Sequence, residues 1–449
     1  MAATHHRPTY NLKVVVRETG LKPDTIRAWE RRYGLPTPER SQGGHRLYSQ
    51  QDIDTLKWLI SRQAEGMSIS RAVELWRQFE AEGEDPLQAL VTPGVSDAAL
   101  PLSPVQGDVL ADLRERWVTA CQDFDEQSAE QVIAQASAQF PPETVCLEIL
   151  QTGLSEIGLH WYEGKVSVQQ EHFSSALAMR RLQTMIAANP PPSRPGRIIV
   201  ACPPEEDHTF SPLLITFLLK RRGWEVIYLG ADVPADRLAN TVAATDPHLA
   251  ILSAQQLYTA ARLLEIATLL SDLDIPVGYG GLVFNEQPAL QTRIPGHFLG
   301  ENLEQVPQAV EHLLASPAPA VVVEPPLAAY RRLLAAFRGK RSLIEARTWE
   351  ALEPMGMPYA HVAEANLNMS RSVMAALSLG DVSLLGPDIE WVTGLLDNFG
   401  LPERLEHYDN SADMLRDYLA AYREAFSACI GEEVGWPVVE WLDRFVTIG

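Results

Sequence analysis

Apolar residues along this chain keep helical spacing in every block but one, where short apolar runs interrupt it. From Leu12 to Thr19 they recur at helical spacing until Gly20 closes the run, and a second helix is predicted from Asp24 to Tyr33. Pro23 stands near its first turn, where a missing N–H costs nothing. Two short helices so joined have helix-turn-helix spacing. Between Gln106 and Ala188, apolar residues three and four apart (Leu110, Leu113 and Trp117, then Val132 and Ala136) predict four helices and hence a bundle. From Arg197 to Leu314 short apolar runs alternate with helical stretches: Ile198 to Ala201, Val226 to Leu229, Ala250 to Leu252, Val277 to Tyr279 and His297 to Leu299. That alternation predicts a doubly wound, flavodoxin-like parallel sheet. Beyond Leu327 only helical spacing remains, with helices expected at Leu327 to Phe337, Ile344 to Leu352, Val362 to Leu379, Asp388 to Phe399, Ala412 to Cys429 and Val438 to Phe445.

Stretches rich in Pro and small residues separate these blocks at Glu82 to Pro104, Asn189 to Pro195 and Ser316 to Pro326. The expected domains are a winged helix over 1–81, a bundle over 105–188, an α/β domain over 196–315 and an all-helical domain over 327–449. At roughly 150 residues per domain, 449 residues suggest about three or four domains. No apolar run reaches the ~18 residues needed to span a bilayer, and Met1 to Tyr10 is polar, so a cytoplasmic protein with no membrane partner is expected. The four cysteines, Cys121, Cys146, Cys202 and Cys429, lack the spacing of a disulfide framework or zinc site.

The net charge of -21 taken whole argues against nucleic acid, because binding duplex DNA requires neutralising phosphates. The charge is unevenly placed. Through Glu80 there are thirteen basic and nine acidic residues, a net of +4, leaving -25 for the rest. The second helix of this basic end puts Arg27 and Arg31 on one face, with Arg32 and Tyr33 at its end. Paired glycines then suit a β-turn wing, on which Arg40, His45 and Arg46 would reach phosphates or the adjacent groove. The plainer alternative is a solvated helical hairpin with surface arginines. Arg27-Ala28-Trp29-Glu30, Gly34-Leu35-Pro36, Arg40 and Gly44-His45-Arg46-Leu47-Tyr48 resemble the MerR family from Tyr10 to about Gln78. The resemblance implies an operator of double-stranded DNA, contacts that include Tyr48, and a homo-oligomer, since members bind palindromes as dimers.

In the α/β block the first strand runs into Cys202-Pro203-Pro204 and then Glu206-Asp207-His208-Thr209-Phe210-Ser211. Ligands bind beyond the carboxyl ends of such strands. An imidazole there suits a transition metal, and a nearby carboxylate can fix its tautomer. Ser253 closes the third strand and Gly280-Gly281 the fourth, small residues that leave a channel for a bulky tail. Together these resemble the cobalamin signature D/E-x-H-x-x-G, S-x-L and G-G. By that resemblance His208 is the lower axial ligand of cobalt, Glu206 its orienting carboxylate, Asp207 and Ser211 loop neighbours, Ser253 a tail contact, and Gly280 and Gly281 the tail's floor. The chain departs from the pattern at Ser211, where the family has Gly, and at Gln255, where it has Leu or Thr. A sheet of this class without a cofactor is the alternative; a nucleotide site fits less well, because no GxGxxG follows the first strand.

Trp161 ends the third bundle helix and Glu171-His172 begin the fourth, a W-x9-E-H spacing. A large aromatic can cover an upper ligand, and a carboxylate and imidazole can bond an adenosyl group or the metal; alternatively Trp161 is core and Glu171-His172 a solvated first turn. With the order of MerR end, bundle and corrinoid domain, the spacing is similar to that of CarH-type light-responsive repressors, from Tyr10 to Leu314. Membership implies adenosylcobalamin, tetramers that hold DNA in the dark and separate in light, His172 as the upper axial ligand after photolysis, and no enzyme activity. The competing readings are a corrinoid enzyme or methyl carrier, which the DNA-binding end and the lack of a substrate barrel disfavour, and a light-independent, cobalamin-sensing repressor. The last block, about 120 residues beyond the family's usual end, holds His361, His407 and Cys429, which leaves open a haem or bilin pocket or a plain dimerisation domain.

Overall fold

The computed structural model describes residues 10–19, 21, 23–40, 46–64, 73, 76–77, 104–316, 323–387, 389 and 410–446. His45, His407 and nearly all of the helix expected over 388–399 lie outside them. The chain divides into two compact units, Met1–Asp97 and Ala98–Gly449.

In the first unit, β1 (Tyr10–Asn11) leads into α1 (Leu12–Thr19), followed by α2 (Pro23–Tyr33), β2 (Glu39–Arg40), β3 (Arg46–Tyr48) and α3 (Gln50–Ala64). The strands form an antiparallel sheet in the order β1-β3-β2, with Arg40 opposite Arg46 across the wing. Val15, Ile26, Trp29, Tyr48, Leu56 and Leu59 make one core. A capping box starts α3: the Ser49 N–H donates to Asp52 Oδ2 at 2.8 Å, and the Asp52 N–H donates to Ser49 Oγ at 3.1 Å. Asp52 also accepts from the Thr37 N–H at 2.9 Å, so one buried carboxylate joins the helix start to the entry of the wing.

The second unit opens with the bundle: α4 (Pro104–Gln122), α5 (Glu126–Ser137), a π-helical stretch (Val145–Gln151) running into α6 (Thr152–Tyr162), and α7 (Val168–Ala187). Trp117 is fully buried at its centre among Leu113, Ile149 and Leu177. It dictates Gly153, where a β-carbon would stand 2.8 Å from the indole. Leu213, Leu214, Phe217 and Leu218 of α8 (Phe210–Arg221) belong to the same core, which joins the bundle to the α/β domain.

That domain continues with β4 (Arg197–Ala201), β5 (Glu225–Gly230), α9 (Leu238–Thr245), β6 (Leu249–Ser253), α10 (Leu257–Asp272), β7 (Val277–Gly280), α11 (Leu282–Glu286), β8 (His297–Phe298) and α12 (Val306–Ala315). The sheet is all parallel in the order β5-β4-β6-β7-β8. This is the doubly wound arrangement expected, with its topological switch between β4 and β6. Side chains of β4 alternate between layers. Ile198 and Val200 pack with α8 and α12, whereas Ile199 and Ala201 pack with α10.

The last block holds α13 (Ala328–Leu352), α14 (Tyr359–Leu379), α15 (Ser411–Ile430) and α16 (Glu432–Val446), and its core is continuous with that around α10. Two differences from expectation stand out. The predicted helices at 327–337 and 344–352 are one helix, because Leu333, Phe337, Ile344, Thr348 and Leu352 keep a single buried stripe while Gly339 faces open space. The final helix starts at Glu432, not Val438, with Pro437 inside it. Among the described residues no helix is long and apolar enough to cross a membrane.

Candidate functional site

The DNA-facing candidates of the first unit separate on inspection. Arg27, Arg31 and Arg32 are exposed along α2, and the Tyr33 carbonyl accepts from Arg77 Nη2 at 2.8 Å. Arg46 is held within the protein: its Nε donates to Glu30 Oε2 at 2.8 Å and to Oε1 at 3.1 Å, and that bond raises the guanidinium's pKa further. Tyr48, expected as a contact, is 0% exposed. It is a core residue that braces the wing and does not reach the surface. Arg40 lies in β2, and His45 is outside the described residues.

In the second unit the loop after β4 brings Glu206 and His208 together. His208 Nδ1 is 2.7 Å from Glu206 Oε1, which also accepts from the His208 backbone N–H at 3.0 Å. The other oxygen, Oε2, accepts from the Gln255 N–H and from Thr259 Oγ1, both at 2.7 Å. Burial alone would push the Glu206 carboxyl up, but these bonds outweigh it and hold the group below the usual carboxylate range. The bond from Glu206 likewise holds the His208 imidazole above its ordinary value, against burial. A fully buried carboxylate thus orients a side chain that is itself 61% exposed. In the neutral ring, an Nδ1–H donated to Glu206 would leave Nε2 as the nitrogen able to bind a ligand.

The neighbouring strand ends complete the opening. Ser253 is buried at the end of β6, in register with Gly280 of β7. A β-carbon on Gly280 would meet nothing within 4 Å, so space is open in front of that strand. Gly281 has φ +125°, and a β-carbon there would fall 1.9 Å from the Ala254 carbonyl oxygen. Gln255, the departure from the family pattern, is a strut: its Nε2 donates to Ser253 Oγ at 3.1 Å and its Oε1 accepts from the Leu282 N–H at 2.9 Å. Ser211 is half-buried in the first turn of α8, and Asp207 is exposed.

The bundle motif is also internally paired. His172 Nδ1 lies 2.7 Å from Glu171 Oε2, and Glu171 Oε1 accepts from Ser175 Oγ at 2.7 Å. The Glu171 charge is among the causes that raise the His208 pKa, after the bond and charge of Glu206. Trp161 is half-buried at the end of α6, and Phe124, 51% exposed, meets Phe173 edge-on beside His172. Phe124 was not foreseen; an aromatic in a turn carries no sequence signal of what it faces. Among the described residues no group of three or more side chains could hold a bare metal ion. A corrin supplies four ring nitrogens of its own, so a single oriented imidazole with open space above it fits that cofactor.

In the last block His361 is exposed near the start of α14, and Cys429, near the end of α15, accepts from Arg347 Nη1 at 3.5 Å. The interior there is filled by Phe337, Tyr418, Tyr422 and Phe426.

Known families match three parts of the chain. Residues 10–78 match the family of MerR HTH regulatory proteins, and residues 113–185 and 196–308 each match a B12 binding domain. The chain is 33% identical to the HTH-type transcriptional repressor CarH of Myxococcus xanthus over 298 residues, 65% of this chain and 96% of that protein. It is 31% identical to the repressor CarA of the same organism over 283 residues, 61% of this chain and 87% of that one. The monomethylamine corrinoid protein of Methanosarcina barkeri aligns over 45% of this chain and 99% of its own, at 15% identity and a TM-score of 0.39. A MerR-type helix-turn-helix end joined to B12 binding domains defines a cobalamin-binding transcription regulator. The chain belongs to the family of repressors represented by CarH and CarA.

Proposed function

We propose that this protein is a light-responsive repressor that encloses adenosylcobalamin between the bundle and the α/β domain and changes oligomeric state and operator affinity on illumination. The observation that carries this reading is the Glu206–His208 pair in the loop after β4, a buried carboxylate orienting an exposed imidazole. His208 would ligate cobalt from below, with Ser253, Gly280 and Gly281 receiving the nucleotide tail and Asp207 and Ser211 bordering it. Trp161 would cover the upper ligand. The cofactor supplies a cobalt–carbon bond that visible light breaks. His172, whose Nδ1 lies 2.7 Å from Glu171 Oε2, would be available as a second ligand to the cofactor, with Glu171 orienting its ring. The protein's own part is orientation and a two-state assembly. DNA contact is assigned to Arg27, Arg31, Arg32, Tyr33, Arg40, His45 and Arg46 on a recognition helix and wing, and domain limits to 1–81, 105–188, 196–315 and 327–449.

The test is the absorption spectrum of the purified protein mixed with adenosylcobalamin, before and after green light. Uptake with a base-off, histidine-ligated spectrum that converts on illumination supports the reading. Uptake with no light-dependent change would make the corrinoid a static or sensed ligand.

A further inference from the structure

The loop bearing Glu206 and His208 is also held from the C-terminal helical block. Glu205 has φ +67°, a left-handed conformation disfavoured for a residue with a β-carbon, so its surroundings must hold it. Its N–H donates to Asp232 Oδ1 at 2.9 Å. Its Oε1 accepts from Arg262 of α10 at 2.8 and 3.0 Å, and its Oε2 lies 3.3 Å from Arg371 Nε on α14. The Arg371 guanidinium also covers the Tyr258 ring at 5.1 Å. These two contacts are informative together. Glu205 immediately precedes Glu206, and Tyr258 immediately precedes Thr259, whose hydroxyl donates to Glu206. One cation from the C-terminal block therefore touches the chain next to both ends of the bond that fixes the orienting carboxylate.

We infer that Arg371 is a positioning residue for His208: the C-terminal helical domain sets the geometry of the cobalt-ligating loop through Arg371, Glu205 and Tyr258. This rests on His208 being the cobalt ligand. Both partners of the Arg371–Glu205 pair are about one-third exposed (32% and 33%), and such pairs add little to stability. They line a cleft of about 290 Å³ together with Tyr258, Arg262 and Arg338. The contact is thus at a solvent-reached seam where it can break and re-form. Because coupling is reciprocal, whatever strains the loop at His208 is felt at α14. A second tie across the same two domains, from Arg293 to the Leu379 carbonyl at 3.0 Å and to Asp381 at 3.2 Å, involves none of these loop residues and serves as the control.

The experiment uses the full chain with Arg371→Ala, Arg371→Lys and Arg293→Ala. Hydrogen exchange of peptides spanning 203–209 is measured without cofactor, and hydroxocobalamin is then titrated while the base-off fraction is followed by absorption. Arg371→Ala should speed exchange and weaken cobalamin binding by at least about fivefold, with an altered base-off fraction. Arg371→Lys, which keeps the charge, should recover part of both, and Arg293→Ala should leave both at wild-type values. If Arg371→Ala matches wild type, or if Arg293→Ala shifts both readouts equally, Arg371 is only an interdomain tie. Should the alanine variant fail to fold, Arg371→Lys and Glu205→Gln carry the same comparison. Failure of the wild type to take up cobalamin would defeat the functional reading, whereas the exchange comparison would still judge the hold of Arg371 on the loop.

Discussion

Arg46 and Glu30 tie the wing to the recognition helix, the Arg46 Nε standing 2.8 Å from Glu30 Oε2. An arginine on a wing is ordinarily read as a phosphate contact, and the ion pair gives it a second role. The two roles predict opposite results for Glu30→Gln. Removing a negative charge near DNA would tighten binding if Arg46 served phosphate alone. Since the pair orients the wing, Glu30→Gln and Arg46→Ala should both weaken operator binding by about 1 kcal/mol, measured by fluorescence anisotropy. Tighter binding by Glu30→Gln would remove the tie from the account.

Exposed arginines on α2 should behave differently. Arg31→Ala and Arg32→Ala each remove a cation, so each should lower the slope of log K against log salt by about 0.9 for every phosphate left without its cation. A salt titration from low to physiological ionic strength measures it. Unchanged slopes would take these two residues off the phosphate backbone.

Gly280 and Gly281 are adjacent, yet their substitutions should part company. Gly281→Ala drives a β-carbon into the Ala254 carbonyl at positive φ and should cost about 3 kcal/mol or more, visible as a lowered Tm without cofactor. Gly280→Ala enters open space, so the cofactor-free Tm should stay near wild type while cobalamin affinity falls, because the added methyl occupies the floor of the tail site. Full cobalamin affinity in Gly280→Ala would place the tail elsewhere.

Thr259→Val deletes one of the donors to buried Glu206 and should destabilise the protein by about 1–3 kcal/mol. It should also perturb the corrinoid spectrum in the direction of His208→Ala, though less. His208→Ala itself should leave the fold intact and abolish the histidine-ligated spectrum. A wild-type spectrum in His208→Ala would remove that residue from the site.

Much of this was legible in the sequence, and the residues show why. α1 spans Leu12–Thr19, as its apolar spacing predicts, and the five strands of the parallel sheet lie close to their predicted positions because buried strands such as β4 and β6 read as unbroken apolar runs. The helices expected at Leu327 to Phe337, Ile344 to Leu352 and Val438 to Phe445 are longer in the structure, since a local breaker such as Gly339 or Pro437 does not reveal that a helix continues past it. Tyr48 was misplaced because a three-residue strand is too short for alternation to tell its faces apart. Glu206 and His208 were readable two residues apart, whereas Gln255 and Thr259 act on Glu206 from 49 and 53 residues away. Such partnerships exist only once the sheet has brought β4 and β6 side by side.

The most direct test of the central claim is the apparent mass of the protein loaded with adenosylcobalamin, by size-exclusion chromatography in the dark and after green light. In the proposed function Trp161, Glu171 and His172 cover the cofactor that the α/β domain holds, and a packed contact of this kind tolerates little displacement before it switches arrangement. Loss of a bulky upper ligand should therefore separate the protomers, with wild type moving to lower mass on illumination and Trp161→Ala responding weakly or starting dissociated. One mass and one operator affinity in both conditions would contradict the light switch, and a response to red or far-red light in place of green would move the sensor to the C-terminal helices.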